Sequence, residues 1–368
     1  MFKVYNMKKI VSLCTAAAAM LLVLSSCDPF GGGTDTPQEL TGVGYYLLNN
    51  GNWGANDASL GVLALANGQI TSYAYKTVNG KALGDLAQDA IEYGSRLYVA
   101  VYGSANITVC NKKTVTLEKT LTMEAPDGGT LSPRHLEVNG GYLYVTYYEG
   151  YVGAIDTLTF SLKHLVKVGD NPEGIAYCDG KLYVANSGGM NYPDYGHTVS
   201  VINTATMAVE NEIEVEPNPS KFAVDSNDNL FLLSWGNYGD TPAALQKIDR
   251  STGTVTIIDA VKNPTDMAMA IDDQLLILTD NDVVVYYTEG RYMGSLHPNI
   301  VEINNKYSIS TDHSLGNLEQ GLVFIGTSDY INTGNLYVFD CSGNRYYDLE
   351  TGGMNPLKVI PVSFTYTY

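Results

Sequence analysis

Residues Asn171 to Val215 read NPEGIAYCDGKLYVANSGGMNYPDYGHTVSVINTATMAVENEIEV. Four short runs rich in Val, Ile, Leu and Tyr are separated by turn residues, the pattern of a four-stranded antiparallel meander. The first predicted strand is Gly174 to Tyr177 and the second Lys181 to Ala185, joined by Asp179-Gly180, a dipeptide suited to the positive φ angles of a tight hairpin. The third runs from Thr198 to Ile202 and the fourth from Val209 to Val215. One such sheet cannot bury its own faces, whereas several stacked copies can.

The second-strand signature recurs at Tyr45 to Leu48, Leu97 to Ala100, Leu143 to Thr146, Leu230 to Leu233, Leu275 to Leu278 and Leu322 to Ile325. With the starting copy these make seven units at a spacing of about 40 to 50 residues, the period of propeller blades. Two turn signals repeat in step with them. Asn171-Pro172, Asn218-Pro219, Asn263-Pro264 and Asn355-Pro356 each precede an apolar run, with Ser132-Pro133 as a variant. Asn111 to Thr114, Asp156 to Thr159, Asn203 to Thr206 and Asp249 to Thr252 each begin with a side chain that can close a turn on its own backbone. The expected fold is all-β, a seven-bladed β-propeller. Nothing before Tyr45 reads as a first strand, and the final segment, Asn355 to Phe364, has the entry signal but no hairpin after it. The C-terminal strand is therefore expected to complete the N-terminal blade and close the ring.

Residues 1–26 read as an export signal: Lys8 and Lys9 precede an apolar run, Ile10 to Leu24, that is short for a membrane span and ends in small residues. Leu24-Ser25-Ser26-Cys27 resembles the lipobox of bacterial lipoproteins, which implies lipidation of Cys27 and attachment to a membrane through that anchor alone. Residues 27–41, rich in Gly, Pro and Thr, read as a flexible tether, and 42–368 as the propeller. Three of the 21 basic residues and none of the 39 acidic ones lie in residues 1–26, so the remainder carries 18 basic against 39 acidic residues. That acidity argues against nucleic acid as a partner. Cys110, Cys178 and Cys341 lie near strand ends in different blades and are expected to be free thiols.

Antiparallel blades sort the loops by face. First-to-second and third-to-fourth strand connections share one face and are short turns such as Asn139-Gly140-Gly141 and Asp272-Asp273. Second-to-third connections share the other face and are longer and aromatic: they carry Trp53; Tyr102; Tyr147, Tyr148 and Tyr151; Tyr192, Asp194, Tyr195 and His197; Trp235, Asn237 and Tyr238; and Tyr330. Both Trp residues of the chain are here. Hairpins do not require loops of this length, and rigid scaffolds commonly carry function on such loops. Aromatic rings with polar tips, among amides such as Asn50, Asn52, Asn56 and Asn332, suit a large ligand with flat faces and amide edges. Arg134 and His135, after Pro133, stand at the same mouth, where Arg134 can meet a phosphate or pair with a carboxylate. His197 reads as a hydrogen-bonding side chain before a metal ligand. Tyr98, Tyr144 and Tyr183 occupy equivalent strand positions and read as packing. No nucleophile elbow, HExxH, P-loop or dinucleotide fingerprint occurs, so no catalysis and no cofactor are expected.

The Pro-x-Gly-Ile-Ala entry at 172–176, the Lys-Leu-Tyr-Val-Ala-Asn strand at 181–186 and Val-Ser-Val-Ile-Asn-Thr-Ala-Thr at 199–206 resemble the YncE-type seven-bladed propellers. Together with the lipobox and the Asn-Asn-Gly-Asn-Trp-Gly loop at 49–54, they resemble Bacteroidetes outer-membrane propeller lipoproteins, most of all the BtuG-type cobalamin-capturing proteins. That resemblance implies a cell-surface lipoprotein that takes up cobalamin (vitamin B12) as a transported ligand and passes it to a TonB-dependent outer-membrane transporter of the BtuB type. The residues alone leave two alternatives open: a propeller binding a glycan or peptide for another importer, or one whose aromatic face meets a partner protein.

Overall fold

The computed structural model describes residues 39–65, 67–279, 282–288, 292–295, 303–312, 321–341 and 343–367. The first blade pairs β28 (Pro356–Thr367), β1 (Glu39–Asn49), β2 (Ser59–Ala64) and β3 (Gln69–Thr71) in that spatial order. The second holds β4 (Ala87–Tyr93), β5 (Arg96–Val101), β6 (Asn106–Asn111) and β7 (Leu117–Leu121). The third holds β8 (Pro133–Asn139), β9 (Tyr142–Tyr147), β10 (Tyr151–Asp156) and β11 (Leu162–Lys167). In the fourth are β12 (Pro172–Cys178), β13 (Lys181–Asn186), β14 (Thr198–Asn203) and β15 (Ala208–Glu214). The fifth comprises β16 (Pro219–Val224), β17 (Leu230–Ser234), β18 (Ala244–Ile248) and β19 (Val255–Ile257). In the sixth are β20 (Pro264–Met269), β21 (Gln274–Thr279), β22 (Val283–Tyr287) and β23 (Tyr292–Ser295). The seventh comprises β24 (Lys306–Asp312), β25 (Leu322–Thr327), β26 (Asn335–Asp340) and β27 (Arg345–Glu350). The chain is a seven-bladed β-propeller.

Each second strand is an apolar run because both of its faces are covered by neighbouring blades, as in β17, where all five residues are buried. The Asn and Asp turns form as expected: the Oδ1 atoms of Asn111, Asp156, Asn203 and Asp249 each accept the backbone N–H groups two and three residues on. Tyr98, Tyr144 and Tyr183 are core residues, each no more than 3% exposed.

The ring closes as the sequence predicts. β28 runs antiparallel to β1, with Tyr46 opposite Ile360, and takes the innermost position of the first blade. The pairing reaches back from Tyr46 to Glu39, opposite Thr367, so the strand begins three residues inside the stretch read as tether. Closure extends beyond the ladder. Lys358 of β28 reaches the second blade and places Nζ 2.6 Å from Asp89 Oδ1. The sequence reading lacks two short helical elements found among the described residues: α1 (Ala74–Asn79) on the connection from the first blade to the second, whose Ala74 and Tyr75 are buried, and a single 3-10 turn at Ile271–Asp273.

Candidate ligand-binding face

The long loops are held open from below by the entry residues of the inner strands. Leu86, Asn171, Asn218, Asn263, Asn305 and Asn355, each one residue before an inner strand, have left-handed φ values of 44° to 61°. Asn tolerates this conformation better than most residues. Its side chain and carbonyl then brace the loops: Asn171 donates to the Tyr148 carbonyl at 3.0 Å, and Asn218 O accepts from Trp235 N at 3.0 Å. Asn355 donates to Gly51 O at 2.8 Å and to Asn52 Oδ1 at 3.1 Å, while Asn50 N donates to the Asn355 carbonyl. The loop carrying Trp53 bends at Gly51, where φ is +82° and a Cβ would lie 2.6 Å from Ala58 N. It is pinned at its tip by Gly54 N donating to Asp85.

Three aromatic groups stand on this face. In the first, Trp53 lies 5.9 Å from Tyr102 and Tyr102 lies 5.5 Å from Tyr148, centroid to centroid, with the Arg134 guanidinium 4.9 Å above the Tyr102 ring. The second is the edge-to-face chain Tyr192, Tyr195, Tyr238, at 6.3 and 5.9 Å. The third pairs Tyr330 with Tyr307 at 5.8 Å. The groups converge: Tyr238 lies within electrostatic range of Tyr330 and Glu173, and Tyr307 within range of Arg134. Trp53 is 71% exposed, and Tyr192, Tyr238 and Tyr330 are between 64% and 67% exposed. Trp235 is fixed through Nε1, which donates to Thr265 O at 3.2 Å.

Tyr238 and Tyr330 also have left-handed backbones, φ 54° and 60°. A bulky residue held this way costs about 1–2 kcal/mol. The neighbouring polar side chains hold the turns. Asn237 Oδ1 accepts Gly239 N and Thr241 N while its amide donates to Asp240. Asp329 does the same for Ile331 N and Asn332 N, which holds its carboxyl down near 2.

Below the rings, side chains from the inner strands form a band of charge. Arg134 grips both oxygens of Glu173, from Nε at 3.1 Å and from Nη2 at 2.5 Å. His135 lies between two buried carboxylates, Nδ1 3.7 Å from Asp89 and Nε2 3.4 Å from Glu173. Across the channel Lys221 meets Asp266 at 2.6 Å. Burial alone would raise Asp89 and Glu173, but Lys358 and His135 at the first and Arg134 and His135 at the second hold both below their ordinary values. For His135, burial acts to lower the pKa and the two carboxylates overcome it, leaving the imidazole above its ordinary value.

The structure brings together Trp53, Tyr102, Arg134 and Tyr148, and separately Tyr192, Tyr195 and Tyr238, with Trp235 and Tyr330 on the same loop face. Asp194 and His197 are exposed on the Tyr192 loop. Tyr147 is a correction: it is 1% exposed, and its ring fills the space above Gly153, where a Cβ would lie 2.8 Å from it. Its place at the end of an inward-packed strand makes it core. Tyr151 starts β10, half-buried, with Lys167 Nζ 4.7 Å from its ring centroid, and serves the outer part of its blade. Asn237 is a brace of its loop, its side chain bonding Gly239, Asp240 and Thr241 of the same loop. Arg134 pairs with a carboxylate, the second of the two roles open to it from sequence. Tyr307 was missed; its position one residue inside β24, two after the left-handed Asn305, is the signal that marks it. Cys110 and Cys178 are buried, Cys341 is partly buried, and all three are free thiols. Cys27 and the export signal lie outside the described residues. Among the described residues no group of His, Cys, Asp and Glu is arranged to hold a metal, and no helix is long and apolar enough to cross a membrane.

No curated protein matches the chain. Among solved structures, the hydrazine synthase of Kuenenia stuttgartiensis is similar, with a TM-score of 0.58 and 16% identity over 73% of this chain and 92% of that one. At that identity the likeness concerns the fold alone. A family model described as "Domain of unknown function (DUF5074)" matches residues 43–337. With its blades accounted for across that span, the chain belongs to the DUF5074 family.

Proposed function

We propose that this propeller captures cobalamin on its aromatic loop face, as a surface lipoprotein anchored at Cys27, and hands the vitamin to a TonB-dependent outer-membrane transporter. The observation that carries the binding role is the exposure of Trp53, Tyr192, Tyr238 and Tyr330 around one channel mouth, two of them on strained backbone. Exposed aromatic clusters of this size are costly on a soluble surface and mark binding sites. Braced loops keep the rings in place before the ligand arrives, which spares the entropy of ordering them on binding. Flat rings suit the broad faces of a corrin. The choice of cobalamin over another flat, amide-edged ligand rests on the resemblance carried by the 49–54 loop and the lipobox.

Calorimetric titration of cyanocobalamin into the purified protein tests this reading, with Trp53→Ala and Trp235→Ala measured alongside. One-to-one binding weakened by about tenfold or more in either variant supports both the vitamin and the face, since a central aromatic contact contributes more than about 1.4 kcal/mol. A well-folded protein that shows no heat of binding discards cobalamin and turns the test to glycans.

A further inference from the structure

The first aromatic group is coupled to a titratable centre by an unbroken chain of contacts. His135 sits on β8 between Asp89 of β4 and Glu173 of β12, so it links three consecutive blades. Glu173 is 7% exposed and engages Arg134 through both oxygens. The guanidinium lies over Tyr102, whose ring touches both Trp53 and Tyr148. An imidazolium offers two N–H donors, one for each carboxylate; a neutral imidazole offers one and turns a lone pair toward the other. Asp89 is insulated from that loss, because Lys358 Nζ at 2.6 Å and the backbone N–H groups of Ala90 and Leu136 also bind it. Glu173 has Arg134 as its remaining charged partner among the described contacts, so Arg134 is where the change is felt.

We propose that His135 and Glu173 form a proton-linked positioning device, in which the charge on His135 sets how Glu173 holds Arg134 and so where the Tyr102 and Trp53 rings stand. That these rings belong to the ligand face rests on the functional reading above; the coupling itself does not. The charged groups facing His135 are Asp89 from β4, Glu173 from β12 and Lys358 from β28, with Arg134 and Glu137 on its own strand. Glu137 accepts from Val138 N and Tyr177 N. β9 carries no charged residue, and Arg96 of β5 is held by Glu118. Lys221 and Asp266 pair with one another on the opposite side of the channel.

The test needs no ligand. In a Trp235→Phe background, leaving Trp53 as the only tryptophan, emission is followed from pH 5 to 9. The expected result is a one-proton transition with a midpoint above about 6.5, the ordinary His value. In Glu173→Gln the midpoint should fall by about one pH unit or more, because an opposite charge within contact range raises a histidine by that much. His135→Gln should abolish the transition. A flat profile in the parent, or a transition that survives His135→Gln, overturns the proposal while leaving cobalamin binding untouched. If His135→Gln does not fold, the Glu173→Gln midpoint decides alongside the His135 imidazole resonance followed by NMR: an unmoved midpoint, or an imidazole that titrates apart from Trp53, overturns it equally.

Discussion

Gly174→Ala places a single methyl group at a close backbone contact between two inner strands. A Cβ on Gly174 would lie 2.5 Å from Ser220 O and 3.1 Å from Lys221 Cα, both backbone atoms of β16. Ordinary contact begins near 3.4 Å, so the fourth and fifth blades must separate locally by about 0.9 Å. Neither atom can rotate away. Overpacking of this kind costs about 1–3 kcal/mol. For a domain of this size, at about 2 °C per kcal/mol, the melting temperature should fall by about 2–6 °C. Glu173 is the preceding residue, so the same displacement should loosen its grip on Arg134. The companion Gly239→Ala lies on an exposed loop with no neighbour closer than 3.4 Å, and should stay within about 0.5 kcal/mol of the parent. Differential scanning calorimetry of the two variants reads the contrast directly. If Gly174→Ala melts with Gly239→Ala and the parent, the inner strands are not packed as closely as described, and the reasoning fails.

A variant ending before Pro356 lacks β28 and leaves β1 as an unpaired inner edge; its thermal unfolding should broaden and lose cooperativity, which calorimetry would show. Stability should fall on both sides of a plateau between about pH 5 and 6.5. Asp89 and Glu173, held low in the fold, contribute above their unfolded values near 4 and lose that contribution as pH falls toward their folded ones. His135, held high, contributes fully below about 6.5 and loses it as pH rises through its folded value; melting temperatures of Asp89→Asn should show a flatter acid limb than the parent, and an identical limb would count against the network. Burial pushes the Cys110 thiol up to about 12 and those of Cys178 and Cys341 up to about 11. At pH 8 these three thiols should therefore resist alkylation in the native protein and react together once guanidinium unfolds it, as mass spectrometry of the labelled peptides can establish.

The blade count was legible because second strands covered on both faces must be apolar throughout, a property written in seven short runs such as Leu230 to Leu233. The closing strand was legible for a complementary reason: an entry signal at Asn355 without a hairpin, and a hairpin at Tyr45 without an entry signal. The loop face followed from the antiparallel order alone. Contacts between blades were harder to read. Asp89 and Lys358 are 269 residues apart, and each resembles any surface charge until the ring closes. Tyr147 and Tyr148 are neighbours of one chemistry, yet the first is the last residue of β9, buried between blades, and the second is the first residue of the loop beyond it, left on the face. Amides such as Asn237 read as ligand contacts because an Asn that closes its own loop has the same side chain as one that waits for a partner.

Strand direction carries one more consequence. Within the first blade β1 runs toward the aromatic face, so it starts, at Glu39, on the side of the short hairpins, and β28 finishes beside it. Both ends of the described chain thus emerge from the underside of the ring. An attachment made at the Glu39 end would meet the ring from below, as a stem meets a dish, on the side away from the aromatic loops. The lipid proposed at Cys27 would then leave the aromatic side facing away from its anchor.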